Sequence, residues 1–254
     1  MIKQLKKDNL ICRIYDTRAE MGRCAASDIY NKIMEILEEK ETINMIFAAA
    51  PSQNDVLESL IAYEDIPWER INAFHMDEYI GLPDGAKQSF GVFLKEKIFD
   101  RVPFKNVFLI NGNAASVEGE CERYTNLLKN NPVDIVCLGI GENGHIAFND
   151  PGVADFNDKY TIKIAELDQV CRNQQVNDGC FEKIDDVPTH ALTLTIPALV
   201  SAKYMFCVVP AATKAKAVYE TMTGPVTDKC PATVMRMHEN AILYCDADSG
   251  KNLM

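Results

Sequence analysis

The sequence predicts an α/β domain: a mostly parallel sheet with helices covering both faces. Two patterns predict it. Apolar runs of strand length recur along the chain, and amphipathic stretches separate them. Strands that are apolar on both faces belong inside a parallel sheet covered on each side, a Rossmann-like arrangement. Length supplies the third observation. With 254 residues and no repeat, low-complexity tract or Pro/Gly/Ser-rich linker, a single domain over residues 1–254 is expected.

The elements follow in order. A long helix is expected from Thr17 to Lys40, with Asp16 as its cap. INMIFAAA (Ile43 to Ala50) is the first strand, and a helix runs from Asn54 to Tyr63. INAFHM (Ile71 to Met76) is the second strand, followed by a helix from Ser89 to Phe99. NVFLI (Asn106 to Ile110) is the third strand, with a helix from Ser116 to Leu128. VDIVCLG is the fourth, and KYMFCVVP (Lys203 to Pro210) the fifth. Thr213 to Met222 is a helix, and NAILYC (Asn240 to Cys245) the last strand. Between them, Asn149 to Pro188 is polar and poor in helix signals, so a lid or a small excursion from the core is expected there.

Ligands of such sheets bind beyond the carboxyl ends of strands. Four segments qualify: AAAPSQND, HMDEY, GENGH and PAATK. The net charge of -11 argues against nucleic acid as a partner. It also means that an anionic ligand must be held by a local device. No stretch approaches a membrane span, so no membrane partner is expected. The nine cysteines are odd in number, form no C-x-x-C and include several inside apolar runs. They read as reduced thiols, and the cytoplasm is the expected location.

GIGENGH contains a literal G-x-G-x-x-G at Gly139, Gly141 and Gly144, directly after a buried strand. A dinucleotide turn must next open a helix whose N-terminus holds the pyrophosphate. The residues that follow are HIAFNDPGVADFND, where Pro151 and Gly152 leave no room for a two-turn amphipathic helix. What remains is a tight turn presenting His145 at the sheet edge, with Gly144 free to approach a ligand and Asn143 offering an amide. Asp150 lies five residues beyond His145, and a histidine beside a carboxylate suits general acid–base work. In HMDEY, Asp77 and Glu78 follow a strand directly, and alternation allows at most one of them into a given cleft.

Three blocks, HMDEYIGLPDGAKQSF, INGNA and GIGENGHIAFNDPG, closely resemble the glucosamine-6-phosphate deaminase/isomerase family, itself related to the 6-phosphogluconolactonases. Their order and spacing match from about Ile11 to Asp246. The resemblance implies a small-molecule sugar phosphate as substrate, no metal and no redox cofactor. It implies that His145 protonates the ring oxygen as the pyranose opens. Asp77 would move a proton from C2 to C1, with ammonia released, and Asp150 would orient His145. Glu78, beside Asp77, is expected among the substrate contacts. Monomers and homo-oligomers both occur in the family.

The departures are local. The family has glutamate where this chain has Asp150, one methylene shorter, so its reach to His145 is expected to be lost or bridged by water. The family's Gly-rich phosphate loop is replaced by AAAPSQND, leaving Ser52, Gln53 and Asn54 as donors. Asn177 falls at the family's phosphate arginine, and Arg172 matches a different family arginine. Lys214 matches the phosphate lysine. The substrate is therefore glucosamine 6-phosphate, a galactosamine-type epimer, or a sugar whose 6-substituent is held differently. A lactonase-type hydrolase and a non-catalytic sugar-phosphate sensor are the alternatives.

Overall fold

The computed structural model describes residues 1–254. The chain opens with β1 (Lys3–Lys7) and β2 (Leu10–Ile14), an antiparallel hairpin turned at Asp8, whose φ is 51°. The sequence reading assigned no element here, because KQLKK is a lysine-rich edge strand with no apolar run. Next come α1 (Arg18–Glu39), β3 (Ile43–Phe47), α2 (Asn54–Ile61), β4 (Ile71–His75) and β5 (Asp77–Tyr79). Then follow α3 (Phe90–Leu94), which continues as a short π-helix over Lys95–Phe99, β6 (Asn106–Phe108), α4 (Val117–Asn130) and β7 (Ile135–Leu138). The last third holds β8 (Ile162–Glu166), α5 (Gln169–Asn177), β9 (His190–Leu194), α6 (Ile196–Val200), β10 (Tyr204–Val209), α7 (Ala215–Thr223) and β11 (Ala241–Cys245).

The main sheet has eight strands in the order β1-β2-β11-β10-β7-β3-β4-β6, all parallel except β1. The expected fold class is the observed one. Both faces are buried, which is why the strands read as continuous apolar runs. In β3, Met45 and Phe47 enter one core with α1 and α2, while Ile46 enters the other with Phe74 and Val136. The chain lays β3, β4 and β6 outward in one direction, then returns to place β7 beside β3 and continues β10 and β11 the other way. The order therefore reverses between β3 and β7, and their carboxyl ends open a crevice there.

One local expectation is corrected. The cap of α1 is Thr17, not Asp16: the Thr17 hydroxyl accepts from the Glu20 amide at 3.1 Å, and Asp16 lies one residue outside. Residues 149–188, expected as a lid or an excursion from the core, carry regular structure. They contain β8 and α5, and β8 joins a second, antiparallel sheet of three strands in the order β5-β9-β8. The start of α5 is set by Asp168, whose carboxylate accepts from the Cys171 amide at 2.7 Å.

Candidate active site

The crevice is a cleft of about 430 Å³, room enough for a hexose phosphate. The segments after β3, β4, β7 and β10 all contribute to its lining, as the strand-end rule anticipates. Two cleft residues, Ala147 and Ala211, hold φ values of 50° and 85°. Left-handed backbone at a non-glycine residue is strained, and such strain gathers at functional sites.

After β7 the chain makes a turn, and no helix follows it. Gly141 is required for a packing reason: a Cβ there would lie 2.2 Å from Cε1 of the His145 ring. The imidazole therefore lies flat on the Gly141 backbone. Gly144 holds φ 86° and carries the turn, but it faces Cys230 and does not line the cleft, which corrects its placement among the ligand contacts.

Asn143 and Asp150 fix the ring. The Nδ1 of His145 lies 2.8 Å from Asn143 Oδ1 and 2.8 Å from Asp150 Oδ1. Asn143 Nδ2 donates to Asp150 Oδ1 at 2.7 Å. A carboxylate only accepts, so the amide nitrogen must face Asp150 and the amide oxygen must face the ring. Nδ1 is then the protonated nitrogen, and Nε2 is left for the cleft. The shorter carboxylate thus reaches His145 directly, and the expected loss of reach is corrected. Asp150 is fully buried. Burial pushes its carboxyl upward, but the attraction of His145 and the hydrogen bonds from His145 and Asn143 outweigh that and hold it below the usual range.

Asp77 and Glu78 divide as alternation demands. Asp77 lines the cleft on β5. Its carboxyl is raised well above the usual range, first by burial and then by the neighbouring Glu78. Glu78 points the other way and does not reach the cleft. Its carboxylate accepts from the Phe90 and Gly91 amides at 3.1 and 2.9 Å and from the Ser89 hydroxyl at 2.7 Å. It is the N-terminal anchor of α3, and its expected substrate contact is corrected accordingly. His75 precedes this pair, wholly buried, with Nε2 accepting from the Ile110 amide at 2.7 Å. Burial pulls it down to about 3, which keeps it neutral and without a role as an acid.

At the other end of the cleft, Ser52 and Lys214 line the wall. Burial lowers the Lys214 ammonium, against the opposing pull of Asp178 and Glu142. Gln53 does not face the cleft: its Nε2 donates to Ser52 Oγ at 3.1 Å and to the Val208 carbonyl at 3.2 Å, tying the loop to β10. Asn54 starts α2 and is likewise outside the lining. Arg172 donates to the carbonyls of Ile184 and Val187 at 2.7 and 2.9 Å and braces that turn. The expected ligand contacts of Gln53, Asn54 and Arg172 are thus corrected. Ligand atoms of His145, Asp150 and Cys171 lie within 4.8 Å of one another. The hydrogen bonds above orient His145 and Asp150 without a metal ion.

The family model for glucosamine-6-phosphate isomerases/6-phosphogluconolactonase matches residues 16–244. The chain belongs to this family. A glucosamine-6-phosphate deaminase of Bacillus cereus (strain G9842) is 37% identical over 240 residues, covering 94% of this chain and 87% of the relative. Another from Bacillus cereus (strain B4264) is 38% identical over 220 residues, covering 87% and 82%. Among solved structures, a monomeric glucosamine-6-phosphate deaminase superposes with a TM-score of 0.85 at 27% identity, over 94% of this chain and 98% of that one. The 6-phosphogluconolactonase of Trypanosoma brucei superposes at 0.80 with 16% identity, over 99% and 100%, a likeness of fold alone.

Within the family's frame, the sequence reading missed several cleft residues. Arg18, Lys87, Gln174, Gln175 and Asp178 all line the cavity. Gln174 and Gln175 sit on α5, whose presence was not read from sequence. Lys87 lies inside the DGAKQSF block, so position in a matched block was the available signal. Arg18 had none, because it follows β2, a strand that was not read from sequence. Asn177, at the family's phosphate arginine, is exposed and outside the lining.

Proposed function

We propose that this protein converts an amino-hexose 6-phosphate of gluco or galacto configuration into a ketohexose 6-phosphate and ammonia. One observation carries the reading: Asp77 and a His145 fixed through Nδ1 line the same cleft. Nε2 of His145 is the nitrogen that serves ring opening. The C1–O5 bond breaks, O5 gains a proton, and the O1 hydroxyl loses one to give the aldehyde. Asp150 stabilises the imidazolium at the moment it forms. Asp77 then takes the proton from C2 and returns it to C1, while O1 gains a proton and the amine loses one. The nitrogen is left double-bonded to C2, and water hydrolyses that imine to the ketone and ammonia. A raised carboxyl is a stronger base, which favours abstraction from a weakly acidic carbon.

Residues 149–188 act as a lid over this chemistry, because α5 brings Gln174 and Gln175 into the cleft wall. Every step above runs on side chains, so no metal or redox cofactor is assigned. Nine cysteines without a disulfide support a cytoplasmic location. Ammonia release from glucosamine 6-phosphate and galactosamine 6-phosphate, assayed with and without EDTA, tests the reading. We expect turnover of at least one sugar, unchanged by the chelator. A folded protein that releases ammonia from neither contradicts it.

A further inference from the structure

The cleft keeps the phosphate lysine of the family but has lost both its glycine-rich loop and its arginine. We propose that Arg18 supplies the missing guanidinium, as the residue that holds the 6-phosphate from the first turn of α1. This inference rests on the sugar-phosphate reading above and adds the residue that recognises the phosphate.

Three observations carry it. First, Arg18 lines the cleft together with Ala50, Pro51 and Ser52, the segment that replaces the family's glycine loop. Second, its head is held in place. Nε donates to Asp55 Oδ2 at 2.5 Å, and Nη2 donates to the Pro51 carbonyl at 2.6 Å. Nη1 has no partner in the protein, so part of the fork is left for a ligand. A guanidinium fixed in this way offers planar, paired donors suited to a phosphate.

Third, the anchor itself is built by close helix packing. Gly22 lies one turn after Arg18 on the same face of α1. A Cβ at Gly22 would fall 2.6 Å from Cβ of Asp55 and 3.0 Å from its backbone carbonyl carbon. The absent side chain lets α1 approach α2 until Asp55 meets Arg18. Local charge agrees. The whole protein carries a net charge of -11, yet Arg18, Lys87 and Lys214 line the cleft together with Asp77 and Asp178, with Asp55 pairing Arg18 from outside it. An acidic protein that places three cations around one cleft is equipped for an anion.

The test compares wild type, Arg18→Gln and Arg18→Lys by steady-state ammonia release and by calorimetric binding of inorganic phosphate. Thermal unfolding confirms that each variant is folded. We expect Arg18→Gln to raise KM about 10- to 100-fold, the loss expected for a hydrogen bond to a charged group, with kcat within about twofold. Phosphate binding should weaken in parallel, and Arg18→Lys should recover part of both. A folded Arg18→Gln protein with unchanged KM and unchanged phosphate affinity overturns the inference while leaving the deaminase reading intact. If wild type released no ammonia, phosphate affinity that falls on losing Arg18 would still uphold the arginine's role, and affinity that does not fall would overturn it.

Discussion

At the scale of single residues, the site depends on two carboxyls shifted in opposite directions. Asp150 is kept ionised by His145 and Asn143, and Asp77 is pushed toward its neutral form by burial and Glu78. The second shift has a cost in stability whose sign can be worked out. Below about pH 4, Asp77 is protonated in both the folded and unfolded chain, and folding feels no penalty. Above that, the unfolded chain loses its proton more readily than the folded protein does, so stability falls as pH rises toward the folded value. Asp77→Asn removes this penalty. We predict a melting temperature above wild type, by a margin that grows from about pH 4 upward, together with a loss of activity of about 10²- to 10⁴-fold. Parallel thermal scans and rate assays would show both, and a variant less stable than wild type at neutral pH would refute the assignment. Asp150 gives a second prediction. Because it already bonds His145 at 2.8 Å in a fully buried place, restoring the family's glutamate adds a methylene with no room. Asp150→Glu should cost about 1–3 kcal/mol in denaturant unfolding and should not raise kcat.

At the scale of elements, the packing of α1 on α2 is the contact most open to test. Alanine is a better helix former than glycine by about 1 kcal/mol. At Gly22 that gain is opposed by the contact with Asp55 described above, which includes backbone atoms and so cannot be relieved by rotating one side chain. Gly22→Ala should therefore destabilise the protein by about 1–3 kcal/mol, and a neutral or stabilising result would show that the helices can part freely. The same scale shows what the sequence made legible. Strands β3, β4, β7, β10 and β11 were readable because burial on both faces leaves an unbroken apolar run. β8 was not, since its outward positions Lys163, Ile164 and Glu166 remain accessible and mix with polar neighbours. α5 was obscured by its own composition, QVCRNQQVN, in which the buried positions include two glutamines that face the cleft. Asp77 could be named because it follows a strand directly, His145 because a glycine turn after β7 presents it, and Asp150 because it lies five residues beyond His145. The true roles of Glu78, Gln53 and Arg172 as braces could not, because their partners lie on other elements.

At the scale of the whole molecule, topology determines where the chemistry sits. The strand order reverses between β3 and β7, so the loops after them diverge and leave a crevice that β4 and β10 complete from either side. The second sheet lays β5 against β9 and β8, which carries Asp77 into that crevice from a direction the main sheet does not supply. Arg18 opens α1 just beyond the carboxyl end of β2 and meets Asp55 of α2. The central claim joins these parts: one base, Asp77, moves a proton from C2 to C1 of an amino-sugar phosphate whose ring His145 has opened. Transfer of isotope tests it most directly. With glucosamine or galactosamine 6-phosphate deuterated at C2, the account predicts deuterium at C1 of the ketose product, detected by NMR in at least part of the molecules, and product formation by Asp77→Asn slowed about 10²- to 10⁴-fold. Ammonia formed with no deuterium at C1, at a rate that Asp77→Asn leaves unchanged, would contradict it.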